Sequence, residues 1–198
     1  IFNKIKKILH ENKNSKILKV IISMKGNVRT SSSSKSWRDS GIGSGCLYDY
    51  GCHVIDLSIF LFGAPSKYKC IKKEGIFNEV VDKFTANLQH LNSNGSTYTN
   101  ELNCDWSDSS ARKAEITVDI KLNDYKVWSN GRVIKIERSN GQKESIGINN
   151  VDTKVNYFLR GEDFALQSQD FIKKIKSSKY DFSAIKDAVL CDKIIADF

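Results

Sequence analysis

Residues 44–62 read S-G-C-L-Y-D-Y-G-C-H-V-I-D-L-S-I-F-L-F and run into Gly63-Ala64-Pro65, and the fold turns on this stretch. As a helix it advances about 100° per residue, so Asp49, His53 and Asp56, at spacings of four and three, return to within about 40° to 60° of one another. They make one narrow ionisable stripe. Leu47, Val54, Ile55, Leu57, Ile59, Leu61 and Phe62 take most of the remaining circumference, and a helix apolar nearly all round is normally buried in a larger body. The stripe is therefore expected to be buried or to face a cleft. Two carboxylates and an imidazole there are costly unless paired, hydrogen-bonded or used, and an imidazole flanked by acids is the usual equipment for proton transfer. A satisfied polar seam between packed elements fits the same pattern.

Composition bounds the rest. A chain of 198 residues with 40% hydrophobic content suits one domain with a real core. The net charge of +8 raises nucleic acid as a partner, but the lysines are dispersed. The two dense groups, Lys4-Ile5-Lys6-Lys7 and Lys173-Lys174-Ile175-Lys176, interleave charge with apolar residues at helical spacing, which is the pattern of solvated faces. No nucleic-acid motif accompanies them, so no nucleic-acid binding is expected. Cys46, Cys52, Cys70, Cys104 and Cys191 are odd in number and lack C-x-x-C spacing, which points away from a disulfide framework or zinc ribbon and toward a reducing cytoplasm. No run approaches the roughly 18 to 20 apolar residues that span a bilayer, so no membrane partner is expected.

Taken in order, Phe2, Ile5, Ile8 and Leu9 share one face of a short helix over residues 1–9, and residues 17–24 form an apolar, central strand. Residues 26–36, with four consecutive serines, read as a surface loop that leads to Trp37 and Arg38. From residue 68 the texture is strands: 68–73, 80–91, 96–106, 112–122, 125–128 and 132–137. Asn94-Gly95, Asn123-Asp124, Asn130-Gly131 and Asn140-Gly141 are turns of the kind that accept positive φ, so consecutive strands make an antiparallel meander. Alternation in residues 114–120 gives the sheet a polar face and a face for the helices. Tyr98, Trp106 and Trp128 are candidates for an aromatic patch on the open face, or for isolated aromatics of an ordinary sheet. Helices are expected over 151–177 and from Ser183 onward.

Gly41, Gly43 and Gly45 invite comparison with a dinucleotide fingerprint, but G-x-G-x-x-G would need glycine where Cys46 stands, and no apolar strand immediately precedes them. Glycines at a helix start instead let backbone N–H groups approach a bound group closely. Cys46, Asp49 and His53 lie on one side of the helix, yet a metal needs further ligands that the sequence does not identify, so no metal site is assigned. Cys52 and His53 are adjacent and point about 100° apart, which excludes a thiol–imidazole couple.

Gly45, Leu47, Asp49, Gly51, His53, Ile55, Asp56, Leu57, Leu61 and Gly63-Ala64-Pro65 resemble the signature that opens the second domain of the Gfo/Idh/MocA family, the glucose-fructose oxidoreductase and inositol dehydrogenase group. The resemblance extends more loosely over most of the chain. It implies an α+β fold, an open and mostly antiparallel sheet with helices on one face. Residues 1–198 would then be the substrate-binding and oligomerisation domain, without the N-terminal dinucleotide-binding Rossmann domain. The family's Rossmann fingerprint and Glu-Lys-Pro segment are missing, and the chain starts at Ile1 rather than Met, so a fragment or truncated product is expected, inactive by itself.

The resemblance further implies an NAD(P)-dependent oxidoreductase acting on the hydroxyl or carbonyl of a sugar, polyol or sugar derivative. NAD or NADP would be held mainly by the missing domain. Asp49 and His53 are the implied catalytic pair. Gly45 and Cys46 lie in the turn that the family sets beside the nicotinamide, and Trp37, Arg38 and Tyr157 are candidate substrate contacts, although Trp37 and Tyr157 suit core anchoring equally. A homo-oligomer through the sheet face is implied. The competing possibility is a non-catalytic ligand-binding or dimerisation module derived from such an enzyme.

Overall fold

A computed structural model of the chain describes residues 1–28, 43–75, 80–111, 113–147, 161–177 and 183–198. Helix α1 (Phe2–Glu11) leads into β1 (Ile17–Lys25). The stretch around His53 then forms α2 (Gly45–Asp49) and α3 (Gly51–Phe62). Seven strands follow: β2 (Lys67–Glu74), β3 (Lys83–Leu91), β4 (Thr97–Asp105), β5 (Glu115–Leu122), β6 (Tyr125–Ser129), β7 (Val133–Arg138) and β8 (Lys143–Gly147). Helices α4 (Gly161–Ser177) and α5 (Ser183–Asp197) end the chain.

The strands form one sheet in the order β2-β3-β4-β1-β5-β6-β7-β8. Every neighbouring pair is antiparallel except β1 and β4, which run parallel with Ile22 opposite Leu102. The first strand thus lies between the two halves of the meander. Its run Val20-Ile21-Ile22 suits a place with partners on both edges, and reaching a parallel neighbour requires a long connection, which here includes α2 and α3. The mostly antiparallel open sheet of the expected fold class is present.

Strict alternation gives the sheet two unlike faces. Val20, Ile22, Phe84, Ala86, Leu88, Leu102, Cys104, Val118, Ile120, Val127, Ile134 and Ile136 are buried in one core with Val54, Ile55, Leu57, Ile59 and Leu61 of α3. The opposite face carries residues such as Lys19, Thr85, Asn103, Asp119 and Lys126, each exposed or half-buried. Tyr98 and Trp106 do not belong to that open face: they are 6% and 1% exposed, on the core side. The reason is parity, since 98, 100, 102, 104 and 106 share the phase of Leu102. Of the three aromatics only Trp128 stands on the open face, half-buried, with the Lys135 ammonium 5.1 Å from its ring centre.

Candidate functional site

The single helix expected over residues 44–62 is two helices joined at Tyr50. The Tyr50 N–H donates to the Cys46 carbonyl (2.9 Å), while its own carbonyl accepts from both His53 N (3.1 Å) and Val54 N (3.2 Å), a tightened step where α2 hands over to α3. Tyr50 is buried and meets the Trp106 indole edge-to-face at 6.1 Å. Gly51 lies where a Cβ would stand 3.1 Å from the Phe84 ring, so the joint presses directly on β3. At the far end Gly63 adopts φ +80 and its N–H caps the Ile59 carbonyl at 2.8 Å, a stop for which glycine is the low-strain choice.

This arrangement places Asp49 at the last position of α2 and His53 in the first turn of α3. Of burial or a cleft, the two settings expected for the ionisable stripe, burial within this domain is not met. His53 and Asp56 are exposed and Asp49 is half-buried, because the sheet, α1 and α5 cover other sides of α3 and leave this one open. His53 is therefore free to meet a molecule arriving from outside the domain. Burial pushes the Asp56 carboxyl above its ordinary range, the charge of Asp187 on α5 pushes it further, and His53 partly opposes both.

The helix expected from Ser183 onward is α5, and its place beside α3 is the part of the site that the sequence did not announce. The Cys191 thiol donates to the Cys52 carbonyl at 3.5 Å, and Asp187, one turn earlier, is the acid that Asp56 feels, so α3 and α5 lie side by side and antiparallel. The signal was available: Asp187, Cys191, Ile194 and Ile195 repeat at helical spacing. Burial raises the Cys191 thiol to about 12, and burial together with Asp49 raises Cys52. Neither is an activated nucleophile.

The glycine turn packs against the chain itself. Gly45 has φ +87, and a Cβ on it would stand 3.0 Å from the Val81 carbonyl oxygen and 3.3 Å from Val80 Cβ. The Cys46 N–H donates to that same Val81 oxygen at 2.6 Å, and the Cys46 side chain is fully buried, its thiol raised by burial and by Cys104 beside it. The close approach that Gly45 permits is thus taken up by residues 80–81 of the chain itself. One backbone donor of the turn, the Cys46 N–H, is thereby spent within the chain. Trp37, Arg38 and Tyr157 lie outside the described residues. Among the described residues no three His, Cys, Asp or Glu side chains gather into a metal-binding group, and no helix is long and apolar enough to cross a membrane.

A helix-backed, mostly antiparallel open sheet defines an α+β class of domain, and here Asp49 and His53 stand on either side of the joint between two of its helices. Residues 2–119 match the GFO/IDH/MocA C-terminal domain, and the chain belongs to that family. Among solved structures it resembles levoglucosan dehydrogenase in complex with NADH and L-sorbose, with a TM-score of 0.78 at 18% identity over 98% of this chain and 59% of that one. It resembles an oxidoreductase from Agrobacterium radiobacter in complex with NAD+, L-tartaric acid and magnesium, with a TM-score of 0.75 at 15% identity over 98% of this chain and 57% of that one. A dehydrogenase (MviM) from Clostridium difficile aligns with a TM-score of 0.63 at 19% identity, over 100% and 59% of the two chains. The chain therefore spans under three fifths of the length of these proteins. No curated relative matches its sequence.

Proposed function

We propose that this chain is the substrate-binding and oligomerisation part of an NAD(P)-dependent oxidoreductase that interconverts a hydroxyl and a carbonyl on a sugar, polyol or sugar derivative. The observation that carries the proposal is the exposed His53 in the first turn of a mostly buried helix, four residues after Asp49 and across the α2–α3 joint, in a domain of this family. The nicotinamide, held by a second domain, supplies or accepts the hydride. His53 gives a proton to the carbonyl oxygen of the substrate or takes one from its hydroxyl, and Asp49 holds the ring in orientation and stabilises its charged form. Trp37, Arg38 and Tyr157 contribute contacts that select the substrate.

The outer sheet face forms the contact between copies, with Ile21 and Trp128 set among charged neighbours. The protein works in the reducing cytoplasm, in keeping with five cysteines that are all free.

In the holoenzyme, His53→Ala and Asp49→Asn are each expected to lower turnover by roughly 10² or more while leaving the thermal unfolding midpoint in place. Wild-type turnover in either variant removes that residue from the mechanism. Stoichiometric nicotinamide binding with no turnover on any polyol would instead favour the non-catalytic module.

A further inference from the structure

Five residues beyond His53, α3 is fastened to the sheet through side chains that are out of place in an apolar core. Ser58, His90 and Asn100 are 0%, 1% and 0% exposed. The Asn100 amide donates to the Ser58 hydroxyl oxygen at 2.7 Å, and that oxygen lies 3.2 Å from His90 Nε2. The strand register sets His90 directly opposite Tyr98. The imidazole stacks on the Tyr98 ring at 5.6 Å and 21°, and the Phe62 ring of α3 tilts over it at 5.7 Å. One helix and two strands thus converge on a single imidazole.

Among the described residues no acidic side chain acts on this imidazole in its socket. Among the described residues His90 Nδ1 and Asn100 Oδ1 have no hydrogen-bond partner, although buried polar atoms nearly always have one. From α3 the socket receives Ser58 and Phe62, and from β4 Tyr98 and Asn100, none of them acidic. Across the depression bordered by Phe62 and Tyr98, α1 presents Lys6, Lys7 and His10, followed by Lys13, which are basic. Asp197, at the end of α5, is bonded to the Tyr68 hydroxyl of β2 at 2.6 Å.

We propose that His90 is a proton-gated latch on α3: neutral, it ties the C-terminal half of the helix to β3 and β4 through Ser58, and protonated, it lets that half go. Burial alone holds the imidazole down at about 4, against about 6.5 in an open chain. A histidine lowered on folding leaves the closed state at full strength above about pH 6.5 and weakens it as pH falls toward 4, because the open form binds the proton more tightly. Those two values make local opening of α3 roughly 50-fold more favourable at pH 4.5 than at pH 7. The latch stands whether or not the hydride-transfer proposal does, since it concerns only how α3 is held.

Amide hydrogen exchange on the 198-residue chain, corrected for the pH dependence of intrinsic exchange, tests it together with an NMR titration of the ring protons of His10, His53 and His90. Between pH 7 and 4.5, protection over residues 58–62 should fall by roughly 50-fold while that of Val118 and Ile120 in β5 changes far less. The His90 ring should titrate only below about pH 5. His90→Gln, which keeps a side-chain nitrogen for Ser58 and cannot gain a proton in this range, should make protection over 58–62 independent of pH. Should that variant fail to fold, the wild-type chain decides: coincidence of the His90 titration with the loss over 58–62 supports the latch. A His90 ring titrating near pH 6.5 with α3 still protected overturns it, as does an undiminished loss in His90→Gln.

Discussion

Gly43 and Gly45 offer a comparison in which one difference isolates one contact. Their φ angles are almost the same, +86 and +87, so alanine at either position incurs a similar cost for a left-handed backbone, about 1–2 kcal/mol. Around Gly43 an added Cβ meets nothing within 4 Å, whereas at Gly45 it meets the Val81 carbonyl oxygen at 3.0 Å and the Val81 nitrogen at 3.2 Å. Both are backbone atoms and cannot rotate aside. Such crowding typically costs a further ~1–3 kcal/mol, and the Cys46-to-Val81 hydrogen bond would be strained with it, about 1 kcal/mol more. Gly43→Ala is therefore expected to destabilise by about 1–2 kcal/mol and Gly45→Ala by about 3–6 kcal/mol. Urea unfolding at pH 7 with unchanged slope reads the difference as a shift in midpoint. Equal midpoints for the two variants would refute the reasoning: the start of α2 would not be pinned by residues 80–81, and its N–H groups would be available to a bound ligand after all.

The open face of the sheet predicts assembly. If copies meet there, Trp128→Glu should convert the sedimenting species to monomer with little change in melting temperature, and an unaltered sedimentation coefficient would move the contact elsewhere. A second expectation concerns acid. Burial pulls the Asp105 carboxyl up, but the Lys83 ammonium at 2.9 Å and the Ser107 hydroxyl and N–H hold it below the usual range. Its stabilising share is present above the ordinary carboxylate value and is lost as pH falls below it. Lys83→Met should therefore begin acid unfolding at a higher pH than wild type, as followed by far-UV circular dichroism, and superimposable acid transitions would show that the pair contributes nothing.

Much of this architecture was legible because local chemistry and global fold agree. The asparagine–glycine turns fixed three hairpins: Gly95, Gly131 and Gly141 all take positive φ. The apolar run at 17–24 gave a central strand. Two things escaped because they depend on partners far away in sequence. One is the parallel pairing of β1 with β4, which no local pattern encodes, since a strand buried on both edges reads the same whichever way its neighbours run. The other is β8, whose residues Lys143-Glu144-Ser145 are exposed on an edge and offer neither alternation nor apolar content to detect. Tyr98 and Trp106 were misplaced for a different reason. Asn100, a polar side chain at an inward position, disguises the phase of β4, and only its bond to Ser58 explains why it points inward.

The candidate site shows the same division between what a helix specifies and what its surroundings specify. The spacing of Asp49 and His53 follows from the sequence, but whether that edge is covered depends on what packs against α3. Hydrophobicity pattern cannot distinguish a stripe buried within its own domain from one that awaits another body, because both occur on helices that are otherwise apolar. In this chain α3 buries Val54, Ile55, Leu57, Ser58 and Ile59 and leaves His53 and Asp56 to solvent. An imidazole in that position stands in water and gains catalytic leverage only when water is excluded, since the electrostatic influence of a carboxylate such as Asp49 grows as the local dielectric falls. It follows that the exposed His53 ring should respond to its covering: binding of the second domain should slow its modification by diethyl pyrocarbonate. Modification at an unchanged rate would separate His53 from any closed site.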